Sequence, residues 1–175
     1  MSRLNKKFFE RSTLLVARGL LGQVLVRKWR GKEIRAMICE TEAYHGPKDL
    51  ASHASRGITP RTRVMFGEAG RAYVYLIYGM HHCFNIVTGR AGYPAAVLIR
   101  GIIEEGSEKI ISGPGRVAKF LHIDRRLNEL DLCKNNTLWL ECGARIPARR
   151  VLTGKRIGVD YAGAWKDKPW RFYTT

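Results

Sequence analysis

The constraint that weighs most on this chain is a two-residue period between Ile34 and Tyr44. Ile34, Ala36 and Ile38 are apolar at every second position, and Glu40, Glu42 and Tyr44 continue the same spacing. Alternation along a strand predicts Ile38, Glu40, Glu42 and Tyr44 on one face and Cys39, Thr41 and Ala43 on the other. Because that face begins apolar, at least one glutamate is expected at a core edge. Burial there would raise its pKa and a neighbouring cation would lower it, and either perturbation marks a candidate general base. A salt-bridged strand end is the alternative.

The neighbouring segments support a sheet. Gln23 to Trp29 and Lys32 to Tyr44 are predicted as strands joined at Arg30-Gly31. Arg71 to Ile77 and His82 to Thr88 flank a turn at Tyr78-Gly79-Met80-His81, with Tyr78 at its tip. Ala95 to Ile99 is uniformly apolar, as in a strand covered on both faces, and Arg100 at its exit needs a partner. Thr137 to Glu141, Arg149 to Leu152 and Arg156 to Val159 are further strand candidates, followed by a short Trp170–Tyr173 tail. A helix of about ten residues begins after Ser12 and stops at Gly22. A second follows Ser112-Gly113-Pro114-Gly115, a turn that presents either a phosphate-holding helix end or an ordinary cap. No βαβ alternation or repeat occurs. The expected architecture is α+β: one mixed domain over residues 1–175, with a curved, mainly antiparallel sheet and a few flanking helices.

Between His45 and Gly70 the periodicity disappears. Gly46, Pro47, Gly57, Pro60 and Gly67 punctuate a polar segment that holds Arg56, Arg61 and Arg63. A loop of that length in a compact domain is usually functional, and its arginines suit an anionic backbone. Lys+Arg 31 against Asp+Glu 15 gives +16, which selects a polyanion as partner. The basic residues are scattered through folded segments, which favours nucleic acid over a membrane surface. No apolar run approaches the ~20 residues of a membrane span, and no secretory leader precedes the first polar residues. Cys39, Cys83, Cys133 and Cys142 are expected as buried thiols in a reducing compartment. His81-His82-Cys83 lacks a second ligand pair, so no metal is expected.

Glu42, Tyr44, His53, Tyr75, Tyr78, Asn85 and Arg100 remain as polar or aromatic residues that do not read as core. Chemistry on a base in duplex DNA requires a wedge, aromatic faces to stack the extruded base, and hydrogen bonds to its edge. Cleaving the glycosidic bond adds a carboxylate to deprotonate a water. The chain holds a candidate for each task. A basic coating module explains the charge but not the Glu42/Arg100 pair, and an RNA-directed hydrolase could use the same constellation.

The segments Glu40-Thr41-Glu42-Ala43-Tyr44, Thr59-Pro60-Arg61, Tyr73 to Met80, Val97-Leu98-Ile99-Arg100 and Ser112-Gly113-Pro114 resemble the alkyladenine (3-methyladenine) DNA glycosylase family, from about Phe8 to Tyr173. The resemblance implies a monofunctional glycosylase that flips alkylated or deaminated purines out of damaged double-stranded DNA, as a monomer, without metal or cofactor. It implies Glu42 as general base, with Arg100 positioning water and sugar phosphate. Tyr44 and Tyr75 would sandwich the base with His53 at its edge, and Asn85 would exclude the amino group of guanine. Tyr78, with Met80, would enter the minor groove. Arg56, Arg61, Arg63, Ser112 and Gly113 would meet the DNA backbone, and Glu40 would be structural. Location would follow the DNA, in the cytoplasm of a prokaryote or the nucleus of a eukaryote. Two departures stand out. The Arg100–Ser112 segment is shorter than in mammalian members, and His81-His82 replace an expected aromatic pair.

Overall fold

Strand β2 (Lys32–His45) is the longest element, and the sheet is assembled on both of its edges. The computed structural model describes residues 2–174. Strand β1 (Val24–Trp29) returns along the first half of β2 through Arg30 and Gly31, both at positive φ (48° and 77°), which closes a two-residue hairpin. Beyond β1 lies β7 (Leu138–Glu141). On its other edge β2 pairs with β5 (Ala95–Glu104), which leads to β4 (His81–Val87) and then β3 (Ala72–Ile77). Where β1 ends, β9 (Arg171–Thr174) takes over the far edge of β2, opposite Glu40, Thr41 and Glu42, and pairs in turn with β8 (Val151–Gly154). Short β6 (Ile110–Ser112) pairs with β5. All these pairings are antiparallel and the sheet stays open and uncurled; the fold is mixed α+β, as expected.

One face of the sheet carries the main core. Helix α2 (Thr13–Leu20) buries Val16, Ala17 and Leu20 against Ala36, Ile38, Ala43 and Ile99, and α3 (Pro114–Phe120) buries Val117 and Ala118 beside Phe84. Helix α2 is eight residues long, shorter than its pattern predicts, and Ser12 makes no side-chain cap bond. Gly22, at φ 82°, ends it where a Cβ would collide with the carbonyl of Ala144, so no other residue fits. Helix α1 (Lys6–Phe9), capped by Asn5, precedes it and was not expected.

The even-numbered residues of β2 do not share a face throughout, and this corrects the expected alternation. Register shifts fall between Ile38 and Glu40 and between Glu40 and Thr41, so Ile38 pairs with Ile102, Glu40 with Gly101, and Thr41 with Ile99. Cys39 and Arg100 are passed over. Before the bulge Ala36 and Ile38 enter the main core; after it Thr41, bonded to the carbonyl of Ala17 at 2.9 Å, and Ala43 take that side. Glu40, Glu42 and Tyr44 are thereby turned to the opposite face. Gly101 makes room for the crossing, since a Cβ there would stand 2.8 Å from Cβ of Glu40.

Other expectations are also revised. Strand β5 runs on past Arg100 to Glu104. Residues 156–159 form no strand, because Arg156 leaves the surface for a buried ion pair, whereas the Trp170–Tyr173 tail supplies β9. The 45–70 segment is ordered by two 3-10 helices, His53–Arg56 and Arg63–Phe66. Cys39 and Cys83 are buried, but Cys133 is half-buried and Cys142 exposed, and all four are free thiols. Among the described residues no helix is long and apolar enough to cross a membrane.

Candidate active site

Register alone gathers the first part of the site. Tyr73 on β3 pairs with Asn85 on β4, Asn85 with Leu98 on β5, Leu98 with Glu42 on β2, and Glu42 with Arg171 on β9. On an antiparallel sheet directly paired residues share a face. The row stands on the face opposite the main core, beside Tyr75 paired with Cys83 and Tyr44 paired with Ala96.

The segment between β2 and β3 closes over this face. Ala54, Val64 and Met65 pack against Tyr73, Val87 and Ala96 in a second apolar cluster. Ser52 caps the first 3-10 helix and places His53, whose Nδ1 lies 3.0 Å from the Tyr73 hydroxyl and whose ring meets Tyr75 edge-on at 4.6 Å. A turn locked by Thr59 and Thr62 sets the Arg61 guanidinium 4.7 Å over the Tyr75 ring. Between the two walls lies a cavity of about 530 Å³, of the size that holds a small organic ligand. Tyr44, His53, Arg61, Tyr75, Tyr78, Asn85 and Arg100 all line it.

Glu42 does not line the cavity. It lies behind the wall, fully buried. Its Oε2 accepts from the Tyr44 hydroxyl and its Oε1 from the Ile157 N–H, both at 2.9 Å, and Arg100 Nε stands 3.5 Å from Oε1. Burial pushes the carboxyl pKa up, while Arg100, the Ile157 N–H and the Tyr44 hydroxyl oppose it. Arg100 is closer to Glu40, at 3.1 Å, and Glu40 Oε1 is shared with Arg171 at 3.3 Å. The partner required by Arg100 is therefore both glutamates, Glu40 nearer. His53 is held neutral, its pKa lowered to about 4 by burial and then by Arg61 and Arg56. Asn85 Nδ2 donates to the Tyr73 carbonyl at 3.1 Å, which fixes the sense of the amide because a carbonyl can only accept.

The remaining candidates lie around this centre. Tyr78 and Met80 are exposed at the β3–β4 tip, Tyr78 in the left-handed region at φ 50°. Arg56 is exposed outside the cavity lining, and Arg63 pairs with Glu129 at 3.3 Å in a separate depression. Ser112 lines a neighbouring cavity beyond Arg100, and the Gly113 N–H is taken by the Arg100 carbonyl. Among the described residues no group of three or more His, Cys, Asp or Glu could hold a metal ion. Arg156, Ile157 and Asp49 were missed. Arg156 and Ile157 sit in what reads as a strand, and nothing in the sequence around Asp49 announces its partner.

A buried, cation-flanked carboxylate thus lies behind an aromatic cavity on a strongly basic chain. Comparison with known proteins shows the family. The family described as Methylpurine-DNA glycosylase (MPG) matches residues 7–175. Proteins bearing the name "Putative 3-methyladenine DNA glycosylase" are similar over nearly the whole chain. One from Methanocella arvoryzae is 48% identical, covering 99% of this chain and 92% of its own length. One from Myxococcus xanthus is 49% identical, with 99% and 90% covered, and one from Legionella pneumophila (strain Corby) is 44% identical, with 99% and 94% covered. The chain belongs to the methylpurine-DNA glycosylase family, and so to the hydrolases that act on N-glycosidic bonds.

Proposed function

We propose that the chain acts as one domain and as a monomer on damaged duplex DNA, extruding an alkylated purine into the 530 Å³ cavity and hydrolysing its glycosidic bond with a water activated by Glu42. The observation that carries this reading is the Glu42 carboxylate, removed from solvent directly behind a cavity lined by tyrosines. A raised pKa makes it a stronger base than a free carboxylate. Each of its oxygens accepts one hydrogen bond and keeps a further lone pair, so a water beside Arg100 can be deprotonated without breaking the existing contacts. In this reading Tyr44 and Tyr75 stack the base, His53 meets its edge, and Asn85 bars the guanine amino group. Tyr78 and Met80 fill the gap left in the duplex. Arg56, Arg61, Arg63, Ser112 and Gly113 follow the backbone.

The charge state of the site favours one lesion class. A purine alkylated at N3 or N7 is already cationic and leaves without a proton. Hypoxanthine and ethenoadenine need one, and His53, neutral at pH 7, is a poor source. Cationic 3-methyladenine is therefore the best-matched substrate; 7-methylguanine shares the charge but meets Asn85 with its amino group, and the neutral lesions lack the charge.

Glu42→Gln is nearly isosteric and cannot accept the water's proton. Single-turnover excision of 3-methyladenine from a duplex should fall by roughly 10²–10⁴-fold while lesion binding persists. A rate within tenfold of wild type removes Glu42 from the mechanism.

A further inference from the structure

Beside the catalytic wall is a buried ion pair that the proposed chemistry does not use. Arg156 and Asp49 have fully buried side chains. Nη1 of Arg156 donates to Asp49 Oδ2 at 2.6 Å and to the Ala43 carbonyl at 2.9 Å; Nη2 donates to Asp49 Oδ1 at 2.9 Å and to the Trp165 carbonyl at 3.1 Å. The guanidinium carbon lies 4.8 Å from the Tyr44 ring centre and 5.1 Å from that of Trp170. Asp49 also accepts the backbone N–H groups of His45 and Ala51, each at 3.1 Å. A buried pair is weak evidence for stability, since well-packed apolar residues of equal volume often do as well. What an ion pair adds is a fixed geometry.

That geometry converges on Glu42. The next residue after Arg156 gives its N–H to Glu42 Oε1, and the ring against Arg156 gives its hydroxyl to Glu42 Oε2. The carbonyl of Ala43, between Glu42 and Tyr44 in the chain, is held by the same guanidinium. We infer that Arg156, clamped by Asp49, is a positioning residue that sets both hydrogen-bond donors on the Glu42 carboxylate. The inference rests on the reading of Glu42 as general base. Asp49 neutralises Arg156 in place, which weakens its direct field at Glu42. Its influence passes through Ile157 and Tyr44.

The other groups around Glu42 are Arg100 from β5, Glu40 from β2, Arg171 opposite on β9 and Cys83 from β4. Among the described residues Arg156 bonds to Asp49, Ala43 and Trp165 and to none of these groups, so a change at Arg156 reads out on the two donors. Both donors stabilise the charged carboxylate, so loosening them raises the pKa at which Glu42 becomes protonated.

The test uses Arg156→Lys, which keeps the charge but not the planar fork, with Tyr44→Phe and the double variant. Excision is followed under single turnover from pH 5 to 9, with lesion binding measured in parallel. Arg156→Lys should slow excision at least tenfold with binding changed less than threefold, and should move the acid limb of the rate profile to higher pH. Tyr44→Phe should move it the same way, and the double variant less than the sum. A slower enzyme with an unmoved acid limb makes Arg156 merely structural and overturns the inference. Should Arg156→Lys fail to fold by circular dichroism, Tyr44→Phe decides: an unmoved limb overturns the inference as well. Normal excision by Glu42→Gln would instead overturn the reading beneath it.

Discussion

The cavity has two walls made by different means. The strand wall, with Tyr75, Asn85, Leu98 and Arg100, is carried by paired strands whose register places Tyr75, Asn85 and Leu98 and whose bulge places Arg100. The loop wall, with His53, Arg61, Ile157 and Tyr161, has no ladder and is held by a few polar contacts: the buried pair of Asp49 with Arg156, His53 with Tyr73, and Thr59 with Thr62 within one turn. A wall held by many weak repeated bonds tolerates the loss of any one. A wall held by a few separate contacts is more exposed to the loss of its strongest.

The strongest way to break this contrast is Asp49→Ala. It leaves the Arg156 guanidinium buried without its counter-charge, an arrangement that costs about 3–5 kcal/mol. For a chain of this size the midpoint of thermal unfolding moves roughly 2–4 °C for each kcal/mol. The expected fall is therefore on the order of 10 °C in a melting curve. A fall of only a degree or two would mean that the loop wall does not depend on its clamp.

Gly101→Ala probes the one place where the strand wall departs from regularity. The added methyl would stand 2.8 Å from Cβ of Glu40, which is fixed to the backbone and cannot swing away, and 3.2 Å from Sγ of Cys39. Crowding of this kind costs about 1–3 kcal/mol. Since Glu40 holds Arg100, the same change should slow excision more than it weakens DNA binding. An unchanged melting point and rate would show that the bulge accommodates a Cβ and that register alone, without glycine, places Arg100.

The same contrast explains what could be read from the sequence. Hairpins β1–β2 and β3–β4 announce themselves through alternation and through glycine at Gly31 and Gly79, and a uniformly apolar run marks the start of β5. These signals are local. The carboxylates, tyrosines, Asn85 and Arg100 stand out because polar and aromatic residues interrupt those same strands. The bulge does not stand out. Cys39 and Gly101 look like any strand residues, so the alternation reads on through Glu40 as if Ile38 and Glu42 shared a face. The loop wall is illegible for a related reason. Asp49 and Arg156 are separated by 107 residues, and neither carries a mark of its partner. Strand β9 is missed because four residues after a proline read as a tail, and only the open edge of β2 beyond β1 gives them something to pair with.

The smallest expected effect sits where the strand wall runs out. Tyr78 opens the β3–β4 turn at φ 50° and is 87% exposed, so its side chain gains almost nothing from packing while its backbone occupies a region that costs a non-glycine residue about 1–2 kcal/mol. Glycine would relieve that strain, but it would also free the unfolded chain by about 0.4–1 kcal/mol. The net change for Tyr78→Gly should then lie between no change and a stabilisation of about 1.6 kcal/mol, visible as a melting point equal to or slightly above wild type. A residue kept in strain without packing is often kept for function. If Tyr78 fills the vacated stack, its loss should slow excision from a duplex, where unpairing has to be sustained, and leave a lesion in single-stranded DNA nearly unaffected. The ratio of duplex to single-strand rates reads this directly. A lowered melting point would assign Tyr78 a packing role in the fold, and equal losses on both substrates would remove it from base extrusion. A stable variant slowed only on duplex DNA would place the strained tip of the strand wall in the duplex.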